Sequence, residues 1–284
     1  MTRTIPVDPT LEHGYDVRLL RSDFAELSQS WAERSAALRK NATVKLDRRY
    51  GPGEKDLMDL FLCGEKEAPL FVFIHGGYWQ RGDKAMYSFV AESFLKAGVD
   101  VAIVGYELCP SATMASMAGK IRSALVWLWQ NGAAEGINKD RINVSGHSAG
   151  GHLTGIALAT DWPSFNLDVP KNLIKSGIPI SGLFQLEPLL RTTISDALHL
   201  DESKAKALSP QFLPPATTAP ILVTLGGGET PQFHWQADEF VAQWSTFEAP
   251  IEKYAEPDVD HFDVVNRLSS SESEIFRKTL AWLR

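Results

Sequence analysis

The sequence predicts an α/β fold: a mostly parallel central sheet with helices on both faces and a helical extension at the N-terminus. Three observations carry this. Short, uninterrupted apolar runs recur along the chain, helix-length amphipathic stretches separate most of them, and glycine- and proline-rich turns punctuate the joins. Runs without a polar face fit strands covered on both sides. Alternation of strand and helix implies right-handed crossovers within one sheet.

Taken in order, residues 1–20 are broken by Pro6, Asp8, Pro9, Glu12 and Asp16 and have no signal-peptide core. Residues 22–40 place Phe24, Leu27, Trp31 and Leu38 among polar residues at helical spacing. This helix lies outside the repeating pattern and is expected as a cap over a pocket or as a homodimer contact. Residues 43–49 and 57–62 alternate apolar and polar about the turn Tyr50-Gly51-Pro52-Gly53, an antiparallel pair at the start of the sheet. Residues 70–74, 99–104, 141–145, 178–180 and 221–225 read as buried strands, with helices expected over 84–97, 114–130, 149–159 and 233–247. A last strand is expected at 251–255 and a last helix at 272–283. Residues 161–220, proline-rich from Pro163 to Pro220, are expected as an irregular insertion that walls the pocket. No linker divides the chain, so residues 1–284 are expected to form one domain.

Composition agrees and narrows the function. The chain has 284 residues, of which 44% are hydrophobic and 22% charged, enough apolar material for a full core. A net charge of −7 argues against a nucleic-acid binder. The apolar run at 70–74 is far short of the ~20 residues of a membrane span. Two cysteines, Cys63 and Cys109, make no disulfide framework. A cytoplasmic protein is expected, with no nucleic-acid or membrane partner.

Chemistry concentrates in four places. Gly146-His147-Ser148-Ala149-Gly150 follows a strand and opens a helix, the setting of a nucleophile elbow. The turn exposes the Ser148 hydroxyl at a helix N-terminus, where negative charge is favoured. His75-Gly76-Gly77-Tyr78-Trp79 ends the strand at 70–74. Its backbone N–H groups at Gly76, Gly77 and Tyr78, with that of Ala149, are expected to form an oxyanion hole; His75 is expected to hold this loop. Chain order places the base last, so His261, after the final strand, is the expected histidine. Glu229 is the only carboxylate in the loop after 221–225 and is the expected acid. Asp238, Asp258 and Asp260 are its rivals. No HExxH or CxxC is present, and no metal or cofactor is expected.

Together, His75-Gly76-Gly77-Tyr78-Trp79-Gln80, residues 146–153 and Asp260-His261-Phe262 resemble the kynurenine formamidase (arylformamidase) branch of the α/β-hydrolases. Residues 181–188 and Pro231-Gln232-Phe233-His234 resemble it too. The resemblance runs from about Val44 to the C-terminus. It implies hydrolysis of N-formyl-L-kynurenine to kynurenine and formate, with Ser148 as nucleophile and His261 as base. One departure stands out: Glu229 occupies the place where the family usually has aspartate. A formyl group needs a narrow acyl side and the aryl part an aromatic wall. Tyr78, Trp79, Phe184 and Phe233 are the expected substrate-binding aromatics, with Trp162 and Phe165 as further candidates. The alternatives are a carboxylesterase acting on small aryl or short-chain esters, and a non-catalytic binding protein of the same fold.

Overall fold

The computed structural model describes residues 5–284. Eight strands form one sheet: β1 (Val44–Arg49), β2 (Leu57–Phe61), β3 (Leu70–Ile74), β4 (Asp100–Val104), β5 (Ile142–His147), β6 (Ile174–Ile180), β7 (Ile221–Gly226) and β8 (Ile251–Glu256). Their order across the sheet is β1-β2-β4-β3-β5-β6-β7-β8. β1 and β2 pair antiparallel, β2 is antiparallel to β4, and the rest run parallel. β3, β4, β5 and β7 are buried along their whole length, which accounts for the apolar runs of β3, β4 and β7; in β5 the buried Asn143 and Ser145 are hydrogen-bonded to β6.

The helices are α1 (Pro9–Tyr15), α2 (Phe24–Asn41), α3 (Ala91–Lys96), α4 (Met114–Glu135), α5 (Ala149–Leu158), α6 (Trp162–Phe165), α7 (Glu202–Ala207), α8 (Pro231–Trp244), α9 (Asp263–Leu268) and α10 (Glu274–Trp282). The helix expected over 84–97 divides into a 3-10 stretch, Lys84–Val90, and α3. α4 runs beyond the expected end, past Gly132, until Gly136 closes it in a left-handed conformation (φ +82°). α1 and α9 lie where no element was expected. The segment 161–220 contains α6, β6, α7 and three 3-10 turns. Among the described residues no helix is long and apolar enough to cross a membrane.

Two features of this topology position the site. The chain leaves β3 towards β4 on one side and returns past it to β5 on the other. The loops after β3 and β5 therefore diverge, opening a crevice at the carboxyl ends of the strands. The N-terminal arm covers that crevice. The Trp31 ring of α2 stacks on Phe89 at 5.4 Å, and its indole N–H donates to Asn266 of α9 at 2.8 Å. The Glu12 carboxylate of α1 accepts from the Thr193 N–H at 2.7 Å, and Thr230 donates its hydroxyl to the Gly14 carbonyl at 2.7 Å.

Candidate active site

Ser148 stands between β5 and α5 with φ 59° and ψ −116°, a strained backbone for any residue with a side chain. Its N–H donates to the Ile180 carbonyl (2.8 Å) and its own carbonyl accepts from His152 N–H (3.0 Å). The turn tolerates only glycine two residues later. A Cβ on Gly150 would collide with the Ile74 backbone carbonyl of the neighbouring strand.

The loop after β3 lies directly against this elbow. A Cβ on Gly76 would stand 3.1 Å from the Ser148 Cβ. Gly77 has φ +117°, and its carbonyl accepts from the N–H groups of Gln80 (3.0 Å) and Arg81 (2.9 Å). Tyr78 and Trp79 follow with φ 51° and 56°. Among the described residues the N–H groups of Gly77, Tyr78 and Ala149 have no acceptor. That of Ala149 is one of the unpaired donors of a helix start. The His75 ring is packed between Tyr87 and Tyr106, with Nδ1–H donating to the Gly76 carbonyl at 2.8 Å. Burial pushes this imidazole down to about 4, so it is a neutral strut for the loop.

His261 and Glu229 meet on the other side. His261 Nδ1–H donates to Glu229 Oε2 at 2.7 Å, both side chains buried. The second carboxylate oxygen, Oε1, accepts from the Ser181 hydroxyl at 2.5 Å and from the Gly226 N–H at 2.7 Å. Glu229 thus reaches the histidine despite its extra methylene. The rival carboxylates are engaged elsewhere. Asp238 is exposed on α8 and paired with Lys253. Asp258 is exposed. Asp260 ties the turn that leads into α9, accepting from the N–H groups of Phe262 (2.9 Å) and Asp263 (2.7 Å), and also binds Arg21 (2.8 Å).

Several supports went unseen in the sequence. Ser181, at φ 49°, orients Glu229. His147, beside the serine, donates from Nε2 to the His261 carbonyl at 2.7 Å. Burial keeps its pKa well below the ordinary value, so it ties the elbow to the His261 loop as a neutral ring. The only sequence-level hint for these residues was position, next to the nucleophile or at the end of the strand beside β7.

A cavity of about 180 Å³ opens beside Ser148 and His261, under the N-terminal arm. Tyr78 lines it, together with Phe24, Tyr87 and Phe262. The Tyr78 hydroxyl donates to the Tyr15 carbonyl, which anchors the arm. Burial, with nearby carboxylates, holds that phenol well above its usual range.

The other expected aromatics are placed differently. Trp79 is fully buried, edge-on to His152 at 5.1 Å, and does not line the cavity. Phe184 is likewise core, stacked on Phe240 at 4.0 Å. Both expectations are corrected: the left-handed turn sends Tyr78 and Trp79 to different sides, and Phe184 fills the space under α8. Phe233 backs the His261 ring at 4.4 Å and is not a cavity wall. Trp162 is buried and Phe165 exposed, both away from the cavity. Among the described residues no group of three or more His, Cys, Asp or Glu could hold a metal ion.

Comparison with known proteins adds a family model, BD-FAE, which matches residues 58–177. A kynurenine formamidase of Salmo salar is 30% identical over 235 residues, covering 80% of this chain and 78% of that protein. A kynurenine formamidase of Danio rerio is 28% identical over 230 residues, covering 78% and 76% respectively. A crystal structure from a Silicibacter species, described as a candidate thioesterase, superposes with a TM-score of 0.84 at 32% identity, covering 96% of this chain and 98% of that one.

Proposed function

The chain belongs to the kynurenine formamidase family of α/β-hydrolases and is a hydrolase, and from that premise we propose that it cleaves an aryl formamide, N-formyl-L-kynurenine, to kynurenine and formate. The observation that supports this reading is the buried Glu229–His261 bond beside a strained Ser148 in one cavity. His261, with Nδ1–H held by Glu229, accepts the Ser148 proton at Nε2 as Oγ attacks the formyl carbon. The oxyanion is received by the N–H groups of Gly77, Tyr78 and Ala149, each donor contributing on the order of 10²–10³ in rate. Gly76 contributes by letting the loop approach the nucleophile. His261 then protonates the leaving arylamine, and water, activated by the same imidazole, releases formate from the formyl-enzyme. On this reading α2 is a cap, since Phe24 and Ser28 line the cavity.

A second reading, an esterase for small aryl or short-chain esters, is favoured by the likeness to the candidate thioesterase. The two part on kcat/KM for N-formylkynurenine against short-chain aryl acetates. A preference for the esters by several orders of magnitude would replace the formamidase reading. Ser148→Ala should abolish turnover of either class, and full activity in that variant would refute both.

A further inference from the structure

The cavity beside Ser148 has an uneven charge. Its lining includes no aspartate or glutamate, but it includes two arginines, Arg18 from the N-terminal arm and Arg81 from the turn after Trp79. Both are exposed. Among the described residues neither guanidinium is paired with a carboxylate. Arg21, three residues beyond Arg18, shows the contrast: it is tied to Asp23, Asp260 and Asp263 at 2.6–2.9 Å. Two unpaired cations facing a carboxylate-free cavity run against the background of a chain with net charge −7.

Each arginine is attached to a rigid part of the site. The Arg18 guanidinium lies 4.9 Å from the centroid of Phe24, itself a cavity wall. The Arg81 backbone N–H is fixed to the Gly77 carbonyl at 2.9 Å, so its side chain departs from the same turn that carries the candidate oxyanion donors. A guanidinium offers a planar fork that fits a carboxylate with two parallel hydrogen bonds.

We propose that Arg18 and Arg81 form a carboxylate-recognising subsite at the cavity mouth, and that the enzyme selects aryl substrates whose leaving group carries a carboxylate. This rests on the serine-hydrolase reading above. A formyl group has no room for a charge, so the anion must sit on the amine or phenol side of the scissile bond.

The test uses two matched substrate pairs on the full chain: N-formylkynurenine against its carboxamide, and 3-acetoxyphenylacetate against 3-acetoxyphenylacetamide. The readout is the ratio of kcat/KM for the anionic member to that for the neutral one, in the wild type, Arg18→Gln, Arg81→Gln and the double variant. Both side chains are exposed, and melting temperatures check that the variants fold. The wild type should prefer the anion by about tenfold or more at low salt, and the double variant should erase most of that preference, chiefly through KM. The preference should also shrink as salt rises from about 20 mM to about 500 mM. A wild-type ratio near one, or a ratio unchanged in the double variant, overturns the subsite. Hydrolysis of the ester pair without the formamide pair would sink the formamidase reading alone, and the subsite is then judged on the esters. Inertness towards all four overturns both.

Discussion

Replacing Glu229 by glutamine changes one atom and should nearly silence the enzyme. The two carboxylate oxygens have different duties: Oε1 accepts from Ser181 and Gly226, while Oε2 accepts from His261 Nδ1–H. An amide has one oxygen. If it stays with Ser181 and Gly226, the amide N–H₂ faces His261, whose Nδ1 must then accept. The ring proton moves to Nε2, and Nε2 can no longer take the Ser148 proton. If the oxygen turns to His261 instead, the N–H₂ meets the Gly226 N–H, donor against donor. Ser181 can rotate its hydroxyl, but a backbone N–H cannot, and an unmet buried donor costs about 1–3 kcal/mol. That leaves the active arrangement populated at about a tenth to a hundredth. The imidazolium formed during attack also loses its buried anionic partner, worth about 1.5–3 kcal/mol, or roughly another ten- to hundredfold. The combined expectation is a kcat loss of about 10²–10⁴, whose upper end is the scale known for removal of the acid in such triads. Steady-state kinetics on N-formylkynurenine and an aryl acetate would measure it, with KM expected within about threefold of wild type. Fluorophosphonate labelling of Ser148 should slow in parallel. A loss of less than tenfold in a normally folded variant would refute the role assigned to Glu229.

Three further outcomes are expected. Phe184→Ala should cost about 3–5 kcal/mol in denaturant unfolding while leaving KM within about threefold; a KM effect without lost stability would restore Phe184 to the pocket. Tyr78→Phe removes the bond to the Tyr15 carbonyl and should speed amide exchange and proteolysis in residues 5–21; unchanged protection would mean the arm is held elsewhere. Stability should fall as pH drops through the window between about 6.5 and about 4. Buried His75 and His152 take up protons near 4 when folded but near 6.5 when unfolded, so the unfolded state binds more protons there. Buried His147 is shifted the same way. Melting temperatures across that range should decline towards acid, more shallowly in His152→Gln, and a flat profile would contradict the buried neutral histidines.

What the sequence could reveal of this molecule depends on how each feature is enforced. The strands of the parallel sheet were legible because burial on both faces favours apolar side chains, as throughout β3; β5 was legible less from its composition, since it buries Asn143 and Ser145 with hydrogen-bond partners, than from the glycines that follow it. The elbow was legible because the Gly150 backbone touches the Ile74 carbonyl, which leaves only glycine there. Glu229 and His261 were placed by chain order along the sheet edge. Apart from Ser181, the supports were illegible for a common reason: they act through main-chain groups that any residue could offer. His147 holds the carbonyl of His261, Tyr78 that of Tyr15, and Thr230 that of Gly14. The same blindness explains the cavity walls. Tyr78 and Trp79 are adjacent in sequence, and the positive φ of both residues decides that one faces the cavity and the other the core. Tyr78, Trp79, Ser148 and Ser181 all carry that strained backbone in the turns that follow β3, β5 and β6, at about 1–3 kcal/mol each. Strain of this kind persists only where packing over-determines it, and here the buried carboxyl ends of β3, β5 and β6 supply that packing. The precision of the site is therefore a property of the sheet edge, and substitutions that loosen this edge should impair catalysis before they unfold the chain.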